Sequence, residues 1–331
     1  MLKFTPEQQA AIFAARNAFN VRATAMAANE AAFLEGNSLS IPIDAWRRID
    51  SRVQMLARSR LAVFNRLAQA STIPVSIADL VSFYPKVSDS NEVMVTMDGR
   101  NNAKGDAASV NYVGTPVPVL TTTSRLGWRQ MEVIRKGGGM IDTATITNGN
   151  RKIAEKMEDM ALNGLGSVVV GGATIYGLRN LPERNTFNHT FTLNGATGAN
   201  WLAAFKAAIA AALGDNNFGQ LTVFLNYGDY TYADTTDYAA NYSGTILQRL
   251  QAINQIKEII PASSVPASEI LGIADLDAGE WGGILSAMPL TTRPKNRQEP
   301  EDDYVFGGMA AVAPQLRSDF NGNSAFVHGS T

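Results

Sequence analysis

Two stretches of the chain decide its fold: Thr122-Thr-Ser-Arg-Leu-Gly-Trp-Arg-Gln-Met-Glu-Val-Ile-Arg-Lys-Gly-Gly-Gly-Met-Ile-Asp142 and Asn150-Arg-Lys-Ile-Ala-Glu-Lys-Met-Glu-Asp-Met-Ala-Leu-Asn-Gly164. Three consecutive glycines break the chain near the end of the first stretch. The pattern that follows predicts a helix from about Asp142 to Leu162, because large apolar residues recur there at helical spacing. This apolar stripe consists of Ile146, Ile153, Met157 and Met160.

Composition excludes several classes of protein. The 331 residues include 28 Lys and Arg against 30 Asp and Glu, so the net charge of -2 excludes a strongly basic nucleic-acid binder. Cysteine is absent and there are only two histidines, which leaves no disulfide framework, no thiolate site and little material for zinc. No apolar run reaches the roughly 18 residues that a membrane span needs. We therefore expect a globular protein made in a cytoplasm, with no membrane partner.

Catalytic motifs are missing as well. The glycines at 137–139 lack the lysine and hydroxyl of a phosphate-binding loop, and no Gly-x-Ser-x-Gly elbow occurs. The segment from Asp275 begins like a calcium loop, but its twelfth position is Ser286 instead of glutamate. The acids at 299–303 are better explained as a solvated face or salt-bridge partners than as a divalent-ion site. We expect no enzymatic activity, no cofactor and no metal.

The first 75 residues are predicted to form two helices, over about 5–34 and 43–70. This region holds nine basic and five acidic side chains, and the second helix has a basic face opposite its apolar stripe. A solvated face is the simpler interpretation, and a surface that meets a polyanion or an acidic neighbour is the alternative. The face comprises Arg47, Arg48, Arg52, Arg58, Arg60 and Arg66.

A long polar hairpin is predicted next. Val93–Met97 and Val110–Val113 resemble strands, and the connector between them has almost no apolar residue. An isolated two-stranded hairpin is only marginally stable in water, so it needs a support, and a neighbouring subunit is a plausible one. The residues expected to make contacts at its tip are Arg100, Lys104 and Asp106.

The remaining chain alternates helices and strands, which indicates an α+β fold. Helices are predicted over 200–213 and 244–258, and strands over 221–225 and 269–273. A tyrosine-rich segment follows 226; its rings are expected in a core or interface, with stacking on bases as the alternative. A charge-dense crossing at 293–303 supplies further contact candidates: Arg293, Lys295, Arg297, Glu299, Glu301, Asp302 and Asp303.

The order of these parts is similar to that of the encapsulins and of the tailed-bacteriophage major capsid proteins. The resemblance is carried by the two quoted stretches and by Ile175-Tyr-Gly-Leu178. In that family a basic residue, an acid and a small-residue turn precede a long spine helix, which ends in an acid-rich turn and glycine. The matching positions are Arg125, Glu132, Asp142, Lys152, Glu158, Gly164 and Gly177.

This resemblance implies the phage major-capsid fold, with an N-terminal helical arm over 1–75 and an extended β-hairpin loop over 76–120. It implies a peripheral domain, formed by 121–218 and 293–331, that contains the spine helix, and an axial domain over 219–292. The long arm departs from the short N-terminal helix of encapsulins and therefore favours a phage capsid.

The implied function is that of a major capsid protein. It would assemble as hexamers and pentamers into an icosahedral shell around the double-stranded DNA of a tailed bacteriophage. Assembly would take place in the host cytoplasm, and the virion capsid would be its final location. Scaffold, portal and decoration proteins would be further partners. The alternative is an encapsulin-type compartment around a cargo enzyme, and a soluble enzyme is a more remote one. The basic face of the arm would then contact DNA non-specifically. Alternatively it would act as a clamp, by forming ion pairs with acids such as those at 299–303 of an adjacent subunit. The clamp is favoured because arginine is well suited to pairs with carboxylates.

Overall fold

The computed structural model describes residues 62–90, 107–137 and 144–331, together with scattered positions between 10 and 21 and at 95 and 97. The scattered N-terminal positions are helical, within the helix predicted over 5–34. Residues 43–61 of the second predicted helix lie outside the described part. In chain order the helices of the described ranges 62–90, 107–137 and 144–331 are α1 (Ala62–Ala70), α2 (Trp128–Gly137), α3 (Ala144–Asn163), α4 (Gly198–Gly214), α5 (Tyr227–Thr235) and α6 (Ile246–Gln251).

Among the described residues, the strands form one five-stranded sheet, one four-stranded sheet and three two-stranded ribbons. They are β1 (Thr72–Pro74), β2 (Val81–Val87), β3 (Val110–Pro116), β4 (Val119–Leu126), β5 (Leu165–Val170), β6 (Ala173–Ile175), β7 (Asn185–Asn188), β8 (Leu221–Asn226), β9 (Asp237–Ala239), β10 (Tyr242–Thr245), β11 (Ile256–Ala262), β12 (Ile270–Ala274), β13 (Gly282–Pro294), β14 (Tyr304–Leu316) and β15 (Phe326–Ser330). The four-stranded sheet has the order β1-β13-β14-β4, and the ribbons pair β2 with β3, β5 with β6 and β9 with β10.

The described chain separates into two compact units. The larger unit comprises Ala57–Leu120, Lys152–Pro289 and Ala310–Thr331, and the smaller comprises Thr121–Arg151 and Leu290–Met309. Within the smaller unit, Leu126, Met131, Ile146, Tyr304 and Phe306 form a buried apolar cluster.

The larger unit is built around the mixed sheet β11-β8-β12-β15-β7. Strands β11 and β8 are parallel, β12 runs antiparallel to β8 and β15, and β7 lies parallel to β15. Helix α4 covers this sheet with Trp201 and Phe205, which are completely buried, and the indole Nε1 of Trp201 donates to the carbonyl of Leu193 at 3.1 Å. Thr197 caps the helix by accepting from the N–H of Asn200.

A buried carboxylate on the spine helix α3 holds the start of α1. Glu158 is 4% exposed; its Oε1 accepts from the N–H of Val63 at 3.1 Å and its Oε2 from the N–H of Phe64 at 3.0 Å. The hydroxyl of Ser264 also donates to Oε1, at 2.8 Å. Because the first N–H groups of a helix have no partner inside it, this carboxylate serves as a cap supplied from a distant part of the sequence.

Two glycines of the predicted motif meet where the spine helix ends. Gly164 has a positive φ of 68°, and a Cβ on it would collide with the carbonyl oxygen of Ile175. A Cβ on Gly177 would collide with the backbone of Gly164 and Leu162. The close approach of the loop to the helix end therefore requires glycine on both sides.

Several predicted elements are confirmed. The spine helix runs over Ala144–Asn163 and the next long helix over Gly198–Gly214. The predicted strands at 221–225 and 269–273 correspond to β8 and β12, and the one at 110–113 lies within β3.

Other predictions were wrong in detail. The helix predicted over 244–258 ends at Gln251, because Ile256–Ala262 instead pairs with β8 and buries Ile256 and Ile259 in the sheet. Tertiary pairing overrides the local helical spacing there. Helices α2 and α5 were not predicted.

Segments at the predicted domain boundaries lie as follows. The main sheet of the larger unit combines β7 and β15, which the sequence assigned to the peripheral domain, with three strands of the predicted axial range 219–292. Near the end of the predicted arm over 1–75, Val63 and Leu67 of α1 are buried and β1 pairs with β13. The domain boundaries themselves stay predictions.

Candidate assembly interface

The β2–β3 hairpin carries the most distinctive exposed surface of the described chain. Its register pairs Val81 with Pro116 and Val87 with Val110, so residues directly opposite each other share a face. The alternating pattern therefore sends Tyr84, Lys86 and Val113 to one face, which we call the inner face. The opposite, outer face is apolar.

The outer face is largely open to solvent. Its exposed fractions are 63% for Phe83, 54% for Val87, 50% for Val110 and 66% for Tyr112. Pro85, directly opposite Tyr112, is also exposed. Clustered apolar side chains on a protein surface commonly mark an interaction site. The hairpin thus reverses the usual arrangement, with its more polar face inward.

The inner face attaches the hairpin to the larger unit through polar contacts. Lys86 Nζ donates to Ser318 Oγ at 2.5 Å and forms an ion pair with Glu183 Oε1 at 3.5 Å. The guanidinium of Arg317 lies 5.7 Å from the ring centroid of the buried Tyr84. A cavity of about 160 Å³ remains beneath these strands, beside Tyr176 and Leu181. Tyr84 and Thr115 are buried on this face, so packing contributes to the attachment beside the polar contacts.

Gly114 permits the close packing of the hairpin on its neighbours. A Cβ at this position would lie 2.7 Å from Val81 Cγ1, 2.8 Å from Phe83 Cε1 and 3.1 Å from Ala173 Cβ. The first two distances are shorter than real contacts allow, so the outer-face Phe83 occupies space that a side chain at 114 would need.

The structure differs from the sequence prediction on where the hairpin pairs. The predicted partner of strand 110–113 was 93–97, whereas the structure pairs it with Val81–Val87. The tip residues Arg100, Lys104 and Asp106 lie outside the described residues. The outer face was missed, although the period-two apolar pattern at 81, 83, 85 and 87 was a signal that pointed to it.

The residues of the 293–303 crossing mostly engage their own unit. Asp303 Oδ1 accepts from the N–H of Trp128 at 3.3 Å and so caps α2. Asp302 Oδ2 accepts from the N–H groups of Gln298 and Glu299 at 3.0 and 2.9 Å. These backbone hydrogen bonds lower the pKa of Asp302.

The cations of the crossing are placed similarly. The guanidinium of Arg297 stacks over the ring of Tyr304, 4.1 Å from its centroid, and also donates to the carbonyl of Pro300. Lys295 Nζ lies 3.4 Å from Thr123 Oγ1. The side chains of Arg293, Glu299 and Glu301 are exposed. The crossing therefore presents a mixed surface in which several predicted contact residues already have structural roles.

Only one arginine of the predicted basic face lies in the described chain. Arg66 Nε binds Glu258 Oε1 at 2.5 Å and its Nη2 binds Asp277 Oδ1 at 2.8 Å. Lys257 forms an ion pair with the same Asp277. Arg66 thus pairs with acids of its own chain. The other five, Arg47, Arg48, Arg52, Arg58 and Arg60, lie outside the described residues.

Neither a metal centre nor a membrane span emerges from the described part of the chain. It contains no group of three or more His, Asp or Glu side chains placed to hold an ion. Within the same residues, no helix is long and apolar enough to cross a membrane.

The fold is the phage major-capsid fold, shared with solved shell structures. The capsid of the Myoviridae phage XM1 gives a TM-score of 0.62 at 12% identity, over 78% of this chain and 89% of that chain. The virus-like particle from Pyrococcus furiosus gives 0.59 at 12% identity, over 87% and 98%. The capsid of the native GTA particle gives 0.58 at 12% identity, over 82% and 91%.

A family model matches residues 31–329, and the chain therefore belongs to that family, described as a family of unknown function (DUF6260). No curated protein sequence matches the chain.

Proposed function

We propose that this chain is a major capsid protein whose copies form the hexamers and pentamers of an icosahedral shell around the double-stranded DNA of a tailed bacteriophage. The observation that carries the proposal is the apolar outer face of the β2–β3 hairpin, left open on a single copy. The likeness of the fold to phage and virus-like shells supports it. The role is structural and not catalytic. The virion is its location, assembly occurs in the host cytoplasm, and scaffold, portal and decoration proteins are further partners.

The outer face is suited to a contact that repeats around a closed shell. Fully burying a large apolar side chain is worth about 1.5–3 kcal/mol. Phe83 and Tyr112 each retain well over half of their surface in contact with solvent, so covering each contributes roughly 1–2 kcal/mol to assembly. Such a term is modest for one contact, but a symmetric shell repeats it for every subunit.

The double variant Phe83→Ser/Tyr112→Ser tests this proposal. Both side chains are exposed in the single copy, so we expect the fold to persist while shells become scarce. Sedimentation velocity and negative-stain microscopy measure shell formation, and near-UV circular dichroism checks the fold. The control is Asn111→Ser, which alters an exposed residue on the opposite face of the same hairpin and should still assemble. Wild-type protein that remains monomeric or dimeric under all conditions, including with its scaffold, would refute the proposal.

Accessibility of the hairpin tip provides an independent check. Trypsin should cut at Arg100 or Lys104 in unassembled protein and much less in shells, because an adjacent subunit would cover the tip. Equal cleavage in both states would contradict contact with a neighbour. Denaturing gels should show monomer bands, without a covalent cross-link through Lys104.

The contents of the particle separate the two shell functions. Purified particles that hold double-stranded DNA support the phage capsid, whereas a stoichiometric co-purifying enzyme supports the encapsulin-type alternative. Absorbance ratios and nuclease protection measure the first, and mass spectrometry identifies the second.

The variant Arg52→Gln/Arg58→Gln/Arg60→Gln tests whether the basic face of the arm contacts DNA or an adjacent subunit. Shells that form normally but retain little DNA would indicate a salt-dependent lining. Shells that fail to form before DNA enters would indicate a clamp on acids of an adjacent copy, which we favour because arginine suits carboxylate pairs. Arg66 is left unchanged because its partners lie within its own chain.

A further inference from the structure

His328 on β15 lies in a chain of hydrogen bonds inside the larger unit. Its Nδ1 is 3.2 Å from the Nε of Arg184, and its Nε2 is 3.2 Å from Oε2 of Glu269. The side chain is 11% exposed. Arg179 holds the same Glu269 through two bonds of 2.7 Å, from Nε and Nη2. The imidazole therefore lies between a guanidinium and a carboxylate that is already paired.

These contacts determine the tautomer of the imidazole. A guanidinium can only donate, so the Nε–H of Arg184 requires a lone pair on Nδ1 of His328. The neutral ring then carries its proton on Nε2, which donates to Glu269. Uptake of a second proton at Nδ1 would place one N–H group against another. The Arg184–His328 hydrogen bond exists only while His328 is neutral.

The surroundings add electrostatic opposition to protonation. Within the described chain, three charged groups act on the ring: Arg184 from the segment before β7, Arg179 from the loop after β6, and the acid Glu269 just before β12. No other residue of β15 is charged. Burial lowers the pKa of His328, and the two arginines lower it further against the opposing effect of Glu269. Protonation is thus displaced to acidic pH.

The residue next to Arg184 connects this site with the hairpin. The carboxylate of Glu183 pairs with Lys86 of β2, and the backbone carbonyl of Glu183 accepts from Ser324 Oγ at 2.6 Å. Arg184 Nη1 also donates to the carbonyl of Leu181 at 2.8 Å. Two consecutive residues, Glu183 and Arg184, thus contact the inner face of the hairpin and His328 respectively.

We propose that His328 is a pH-sensitive switch: when Nδ1 takes up a proton from solvent, Arg184 is released and the attachment of the β2–β3 hairpin through Glu183 and Lys86 weakens. Acid thereby loosens the element that presents the outer face, and neutral pH restores it. The switch resides in one copy of the chain and does not depend on the function proposed above.

The tautomer is tested first, on full-length wild-type protein with 15N-labelled histidine. The chain has only two histidines, and His189→Gln assigns their signals. At pH 8 the imidazole shifts of His328 should report a bare Nδ1 and a protonated Nε2. A proton on Nδ1 at that pH would overturn the proposal outright. Titration of the same signals gives the pH midpoint of His328.

Hydrogen–deuterium exchange of 81–87 and 110–116 then tests the coupling. After correction for intrinsic rates, exchange should rise about 2- to 10-fold across the His328 midpoint, as expected for loss of one hydrogen bond. His328→Gln, which cannot titrate, should abolish this step, while the control His189→Gln should retain it. An unchanged hairpin during His328 titration, or the same step in His328→Gln, would overturn the coupling.

A second variant keeps the test decisive if His328→Gln does not fold. Arg184→Gln removes the guanidinium that opposes protonation, so the midpoint of His328 should move to higher pH. The hairpin should then exchange faster at pH 8 than in the wild type and respond little to acid. A midpoint and a hairpin exchange identical to those of the wild type would refute the proposal.

Discussion

Removing the carboxylate of Glu158 should destabilise the start of α1, which this side chain binds from the spine helix. In Glu158→Ala, the N–H groups of Val63 and Phe64 and the hydroxyl of Ser264 lose their common acceptor in a buried place. A hydrogen bond to a charged group is worth about 1.5–3 kcal/mol, and loss of an N-cap alone costs about 0.5–2 kcal/mol. Because the three bonds share one carboxylate, they do not add in full, and we expect a local cost of about 2–4 kcal/mol.

Hydrogen–deuterium exchange of residues 62–70 measures this cost directly. A cost of 2–4 kcal/mol corresponds to exchange about 30- to 900-fold faster, limited by global unfolding. Glu158→Gln, which keeps one acceptor oxygen and the shape, should show a smaller increase. The matched control is Asp159→Ala on the same helix: its side chain is 43% exposed, so removing its ion pair with Lys156 should cost no more than about 1 kcal/mol. Unchanged protection of 62–70 in Glu158→Ala would refute the reasoning.

Three further outcomes are expected. Stability should fall in two steps on acidification. Burial lowers the pKa of His328 in the folded protein. The stabilisation that comes from the neutral imidazole is therefore complete above the unfolded pKa of 6.5 and is lost as pH falls through the lower folded pKa. Burial acts to raise the pKa of Glu269, but hydrogen bonds from Arg179 outweigh burial and lower it. The stabilisation from ionised Glu269 is therefore complete above the unfolded pKa of 4.5 and is lost as pH falls through the lower folded pKa. Thermal melts across pH 3–8 measure both steps, and a melting temperature independent of pH would contradict them. Gly114→Val should displace the hairpin at a cost of about 1–3 kcal/mol, seen as faster exchange of 81–87; wild-type exchange there would show that Phe83 relocates freely. Trp201→Phe should leave the buried carbonyl of Leu193 without its donor and cost about 1–3 kcal/mol in urea unfolding; an unchanged midpoint would mean that another donor replaces the indole.

The spine helix shows what a local pattern can determine. Its apolar stripe and the following Gly164 predicted a helix ending near 162, and the helix ends at Asn163. Helix α4 was also predicted from the sequence, because alanine has the highest helix propensity and dominates this segment together with a few large apolar residues. In these segments the local preference and the tertiary packing agree.

The hairpin shows where a local pattern is insufficient. The sequence indicated strand character and the need for a support, but it did not identify Val81–Val87 as the partner of β3. It also did not reveal that Lys86 faces inward and Phe83 outward, because the choice of face depends on what the rest of the chain places beneath the strands. A shift of register by one residue would exchange the two faces.

The sequence by itself determined the α+β class, the spine helix, the absence of common catalytic motifs and, through its resemblance, the capsid fold. Only the tertiary structure decided that β7 and β15 complete the main sheet, that Ile256–Ala262 is a strand, and that Glu158, Arg184 and His328 meet partners about 60 to 145 positions away. The physical reason is the separation of the interacting residues along the sequence. Helical periodicity and helix termination at glycine depend on neighbouring residues, so they can be recognised in the sequence. Strand pairing and buried hydrogen bonds join distant segments, and their energy exists only once the chain has folded.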